Sequence, residues 1–133
     1  MRKSSSDLKI KEFHYIMKKT NPRTIQLIRN LKKLSREQKA PIWRAVADTL
    51  GKPAQRWAAV NIGELARHTK ESETVLVPGK LLGSGVLSHP LNVYSFSATE
   101  SAKKFVKGAK GNYGRIEDLM QKNPKGSSVR LMR

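Results

Sequence analysis

The order of apolar runs along this 133-residue chain predicts an α/β fold: one small domain with a mostly parallel sheet and helices packed on it, preceded by N-terminal helices and a basic tail. Three observations predict it. Two short runs, Thr74-Val75-Leu76-Val77 and Pro90-Leu91-Asn92-Val93-Tyr94-Ser95-Phe96, are rich in β-branched and aromatic residues and read as buried strands. Segments with helical spacing of apolar residues stand before and after them. The two kinds of segment alternate along the chain, with no internal repeat and no low-complexity tract, and alternation of this kind builds parallel sheets.

Residues 1–20 are polar, basic and Ser-rich, with scattered apolar residues that keep no period. Ordering a residue costs about 1–2 kcal/mol of backbone entropy, so this stretch reads as a tail that its partner fixes. Asn21-Pro22 is an N-cap with proline at the first helical position, opening a helix to about residue 34. Leu27, Ile28, Leu31 and Leu34 share its core side, and Arg29, Lys32, Lys33 and Arg36 form a cationic stripe that shows no acidic partner at i+4. A second helix begins at Pro41, with Ile42, Trp43, Val46, Ala47 and Leu50 inward, Arg44 and Asp48 outward, Gly51 as its cap and Pro53 as its stop.

Arg56-Trp57-Ala58-Ala59-Val60 is a short extended run in which Trp57 is expected to pack inside rather than stack on a base. Asn61, with Glu64 three residues later, caps a short helix over 62–68 that ends in basic residues, Arg67 among them. The strand at Thr74 is expected to halt at Pro78-Gly79, leaving Lys80 on a loop that closes at Gly83-Ser84-Gly85. After the second strand, Ser97-Ala98-Thr99-Glu100 reads as a capping box for a helix burying Ala98, Ala102, Phe105, Val106 and Ala109, with Lys103, Lys104, Lys107 and Lys110 solvated outside. Residues 113–116 offer a short strand, 117–122 a helical turn or two, and Val129-Arg130-Leu131 a last strand after the loop Asn123-Pro124-Lys125-Gly126.

Charge narrows the function. Lys and Arg number 27 against 10 Asp and Glu, a net charge of +17. Residues 1–56 hold 15 basic and 4 acidic side chains and residues 57–133 hold 12 and 6, so the N-terminal half carries most of the excess. A polyanion, nucleic acid first among them, is the economical partner for such a charge. Zero cysteines exclude a disulfide framework and thiolate chemistry and suit a reducing compartment. No apolar run approaches the ~20 residues of a membrane span, and no apolar block follows the N-terminus as in a signal peptide. The expectation is a soluble intracellular protein with no membrane partner.

Catalytic constellations are absent. His14, His68 and His89 are far apart and lack carboxylates at metal spacing. Gly83-Ser84-Gly85 lacks the spacing of a nucleophile elbow. Lys80 precedes its glycine corner, the reverse of a nucleotide P-loop. Glu117 and Asp118 are adjacent on a helix and therefore diverge, as first-turn acids compensating the dipole. The sequence predicts no enzyme, no cofactor, no metal and no small-molecule substrate.

Five segments then carry a resemblance covering residues 20–133: Asn21-Pro22, Ala40-Pro41-Ile42-Trp43-Arg44, the 53–61 stretch with Arg56-Trp57 and Val60-Asn61, Val77-Pro78-Gly79-Lys80 through Gly85, and Asn123-Pro124-Lys125-Gly126. In these the chain resembles large-subunit ribosomal protein eighteen of the archaeal and eukaryotic type, in its short archaeal form. The resemblance implies an irregular β-β-α superhelix shared with the C-terminal domain of bacterial ribosomal protein fifteen. It also implies a non-catalytic constituent of the cytoplasmic large ribosomal subunit that binds large-subunit rRNA beside neighbouring ribosomal proteins. Ala54 departs from the pattern, standing where similar proteins often have a basic residue. Residues 1–20 match less well and divide as a tail from an rRNA-binding domain at 21–133.

The phosphate contacts expected are the stripe Arg29, Lys32, Lys33 and Arg36, then Arg44, Arg56 and Arg67, then Lys80, Lys125 and Arg130. The alternative is another basic nucleic-acid-binding protein, DNA-compacting or RNA-chaperoning; a small RNA-modifying enzyme is the third class.

Overall fold

A computed structural model describes residues 21–132. The expected tail over 1–20, and His14 within it, lie outside the described residues.

Asn21 caps the first helix as its side chain predicts, its Oδ1 accepting the Arg23 N–H at 3.0 Å. Helix α1 spans Pro22–Gln38, a turn beyond the last apolar position, because Arg36, Glu37 and Gln38 are good helix formers. Lys39 ends it in the left-handed region at φ 52, its N–H returned to the Ser35 carbonyl. Helix α2 spans Pro41–Gly51; Gly51 is its last residue rather than its cap, which falls at Lys52. Trp43 is fully buried and its indole N–H donates to the Pro124 carbonyl at 2.7 Å. A single 3₁₀ turn, Ala54–Arg56, leads into the sheet.

The remaining elements follow in order: β1 Ala58–Asn61, α3 Ile62–His68, β2 Thr74–Leu82, β3 Asn92–Ala98, α4 Glu100–Gly108, β4 Asn112–Arg115, α5 Ile116–Lys122 and β5 Val129–Leu131. All pairings are parallel, in the order β1-β2-β3-β4. Strand β5 joins β2 at Thr74–Leu76, and β1 joins it at Gly79–Leu82, so the two short strands share one edge of β2 end to end.

Burying both faces of the sheet requires two layers of cover. Leu76, Tyr94 and Phe96 meet α1, α2 and α5 through Leu27, Ile28, Leu31, Trp43, Val46 and Leu119. On the other face Val75, Val77, Leu81 and Val93 meet α3 and α4 through Leu65, Ala102 and Val106. No helix links β2 to β3. Leu87 and Leu91 from the connecting loop fill that part of the second layer instead. Trp57 is half-buried, edge-on to Phe96 with ring centres 4.9 Å apart, and donates to the Lys52 carbonyl. It packs against the rim of the core rather than inside it.

Three expectations need correction. Pro78-Gly79 does not end the strand: β2 runs on through Lys80 to Leu82, and the register with β3 shifts between Val77 and Lys80. The proline falls between the residues that β5 and β1 pair, where a missing N–H costs no ladder bond. Gly79 serves close approach, since a Cβ there would lie 2.0 Å from the Ala58 carbonyl oxygen. Second, β3 absorbs Ser97 and Ala98, and the cap of α4 is Thr99, whose Oγ1 accepts the Ala102 N–H at 3.2 Å. Third, Phe105 is 39% exposed; Ala102 and Val106 alone on α4 are buried. Among the described residues no helix is long and apolar enough to cross a membrane.

Candidate nucleic-acid interface

The helical hairpin gathers half of the expected contacts. Arg29, Lys33 and Arg36 are exposed along α1, and Lys32 is half-buried beside α2. Burial, then the neighbouring Arg44 guanidinium, pushes the Lys32 ammonium below its ordinary pKa, with Arg36 adding to the effect and Asp48 opposing it. Lys32, Arg36 and Arg44 therefore crowd one place on the surface. The stripe is not without acids, contrary to expectation. Lys33 has Glu37 at i+4, Nζ to Oε1 3.9 Å, and Arg44 has Asp48 at 3.3 Å. Both pairs are solvent-exposed and hold their cations only weakly.

Three further cations extend the set. The loop carrying Lys125 is held down by the Trp43 bond to Pro124, and it turns at Gly126, where φ is 65 and an added Cβ would lie 2.5 Å from Ile42 Cγ2. Lys125 itself is exposed. Lys80 is exposed within β2 between small neighbours, Ala59 on β1 and Ser97 on β3. Strand alternation puts it on the face opposite Leu81, the face that α1, α2 and α5 cover elsewhere. Arg56 is exposed at the end of the 3₁₀ turn.

Arg67 and Arg130 belong elsewhere. Arg67 is exposed in the last turn of α3. Arg130 donates to the His68 carbonyl at 2.7 Å and pairs with Glu73 at 3.0 Å, which fastens β5 to the end of α3. These lie by the amino end of β2, about 20 Å along the strand from Lys80.

The glycine corner packs against the chain itself. The Ser84 carbonyl accepts the Gly63 N–H at 2.9 Å, and Gly85, at φ 100, presses its backbone on Gly63. Gly83 lies over the start of α4, where a Cβ would meet Ser101 Oγ at 2.1 Å. Those helix starts are covered by the chain itself. Nor do the described residues bring three His, Cys, Asp or Glu together as metal ligands; His89 faces Thr69 Oγ1 at 3.0 Å.

The sequence reading missed Arg23. Its guanidinium takes both Glu117 oxygens, at 2.8 and 3.0 Å, donates to the Phe96 carbonyl at 2.7 Å and lies 4.1 Å from the Phe96 ring centre. Glu117 is thus more than dipole compensation, while Asp118 points away and accepts the Arg115 N–H at 3.0 Å. A signal existed: a cation in the first turn opposes the helix dipole and calls for an anion nearby.

The chain is similar to archaeal proteins named large ribosomal subunit protein eL18. That of Methanoregula boonei is 44% identical over 117 residues, 88% of this chain and 97% of the relative. The protein of Archaeoglobus fulgidus is 42% identical over 116 residues, 87% and 99%. The chain belongs to the large ribosomal subunit protein eL18 family. The Halobacterium salinarum eL18 protein, 40% identical, is matched over its full length. No family model matches the sequence.

Proposed function

We propose that this eL18-family protein is a structural, non-catalytic constituent of the large ribosomal subunit in the cytoplasm, bound to large-subunit rRNA and in contact with neighbouring ribosomal proteins. Near end-to-end similarity to eL18 proteins carries the reading. The cationic face supplies its chemistry: Arg29, Lys33 and Arg36 with Lys32 and Arg44 from the hairpin, extended by Lys125, Lys80 and Arg56. Arg67 contacts phosphate from the far end of the sheet, and Arg130 does so while tied to Glu73. Contacts of this kind set position on a folded RNA and read its shape rather than its sequence.

Counterion release tests it. About ten phosphate contacts give a slope of log affinity against log salt of about −7 to −9 on large-subunit rRNA, and a slope shallower than about −3 would rule out the multi-phosphate interface. The protein stays with large subunits washed at moderate salt. Sedimentation with DNA instead would identify a DNA-compacting protein.

A further inference from the structure

Among the described residues, four other than glycine adopt left-handed backbone: Lys39, Ser72, Lys110 and Ser128, with φ between 52 and 63. The two serines are short polar residues in turns. Lys39 is different, because it ends α1 at the position where a Cβ crowds the neighbouring carbonyl oxygen and where glycine, or failing that asparagine, ends a helix at least cost. The turn demands this conformation. Pro41 holds Ala40 extended, at φ −110 and ψ 99, and Ala40 is buried. The Ser35 carbonyl accepts the N–H groups of both Lys39 and Ala40, while Ser35 Oγ donates to the Ala40 carbonyl at 2.9 Å. Residue 39 cannot relax to the right-handed region without breaking this link between α1 and α2.

Nothing inside the protein calls for a lysine there. Its side chain is exposed and has no hydrogen bond or ion pair among the described residues. The helix dipole favours a cation in the last turn, but Arg36 already stands in it. Lys32, Arg36 and Arg44 lie within two turns of Lys39 along α1 and α2 and crowd one another, so a fourth cation adds repulsion to the backbone cost. Both costs are offset only when a polyanion lies on this end of the hairpin.

We propose that Lys39 is an RNA contact at the turn between α1 and α2, a cation kept where glycine would make the free protein more stable. This rests on the rRNA-binding reading and extends the interface from the faces of the hairpin to its tip. The group met is a backbone phosphate, because an ammonium on a flexible stem is a point charge without the planar, two-pronged surface that reads a base edge.

Stability and affinity then move in opposite directions. In the full chain without RNA, Lys39→Gly raises the melting temperature by about 2–4 °C. On large-subunit rRNA at about 100 mM salt the same variant binds about 5- to 8-fold more weakly, with a log–log salt slope shallower by about 0.7–0.9. Lys39→Asn follows it in both respects, and Lys39→Arg stays within about twofold of the parent in affinity, with an unchanged slope. Lys110, exposed and left-handed at the end of α4 on the opposite layer of the sheet, is the control. Lys110→Gly raises the melting temperature in the same way and leaves affinity within about twofold. An affinity for Lys39→Gly within twofold of the parent would overturn the contact, as would an equal loss at position 110, which any removed charge would then cause. A melting temperature that does not rise would remove the backbone cost on which the assignment stands. Replacing Arg29, Lys33 and Arg36 with Glu tests the wider reading separately: undiminished rRNA affinity there would defeat the rRNA interface itself.

Discussion

Arg23 stands at the positive end of α1, where a cation is disfavoured, and the fold answers by placing Glu117, the Phe96 carbonyl and the Phe96 ring around it. One side chain so ties α1 to α5 and β3. The same bond holds the Glu117 carboxyl below the usual carboxylate range. Because the folded pKa is depressed, the pair's contribution is fully present above the unfolded value near ~4.3 and is lost as pH falls through the lower folded value. Denaturant titrations between pH 6 and 3 should therefore show the parent losing on the order of 1 kcal/mol more than Glu117→Gln, a figure kept small because 37% of the Glu117 side chain is exposed. Equal losses in the two proteins would mean that the pair contributes nothing.

Strand β2 is the element around which the others are arranged, and its middle changes partners. Val77-Pro78-Gly79-Lys80 reads locally as strand, stop and loop; in three dimensions the strand passes from β5 to β1 across the proline and slips its register on β3 at the same point. Lys80 is thereby fixed in a ladder rather than carried on a hinge. Lys80→Glu should keep the fold, its melting temperature within about 2 °C, and weaken rRNA binding with a salt slope shallower by about 1; unfolding would show that the side chain is structural. Helix starts at Asn21 and Pro41 and the buried runs of β2 and β3 were legible because their signals are local. The cap of α4 was not, because Ser97 and Thr99 both suit the role and pairing with β2 claims Ser97. Phe105 was not either, because a period assigns residues to a side without showing how far the sheet extends beneath them. At the interface, Lys33 was read as acid-free although Glu37 lies at i+4, and the pairing of Arg130 with Glu73 was not legible because the two are distant in sequence.

At the scale of the molecule, +17 on 133 residues is the dominant field. Self-repulsion of that size weakens the free protein and is relieved by counterions or by RNA. Raising salt from about 20 to 300 mM should lift the melting temperature by about 3–6 °C in the absence of RNA, followed by circular dichroism; a flat response would show that the charges are too widely spaced to repel. Thermal stability and rRNA affinity then respond to salt with opposite signs. A last consequence comes from β5, the final strand in the chain, which pairs with the middle of the sheet through Leu76, whose carbonyl also accepts the Met132 N–H at 3.0 Å. Synthesis proceeds from the N-terminus, so the edge of β2 that β5 will occupy stays unpaired until residues 129–131 are made. Long-range parallel pairing is slow to form, and an unpaired edge is a template for other strands. The nascent protein is therefore most prone to self-association before β5 emerges, and a chain lacking β5 would keep that vulnerability permanently.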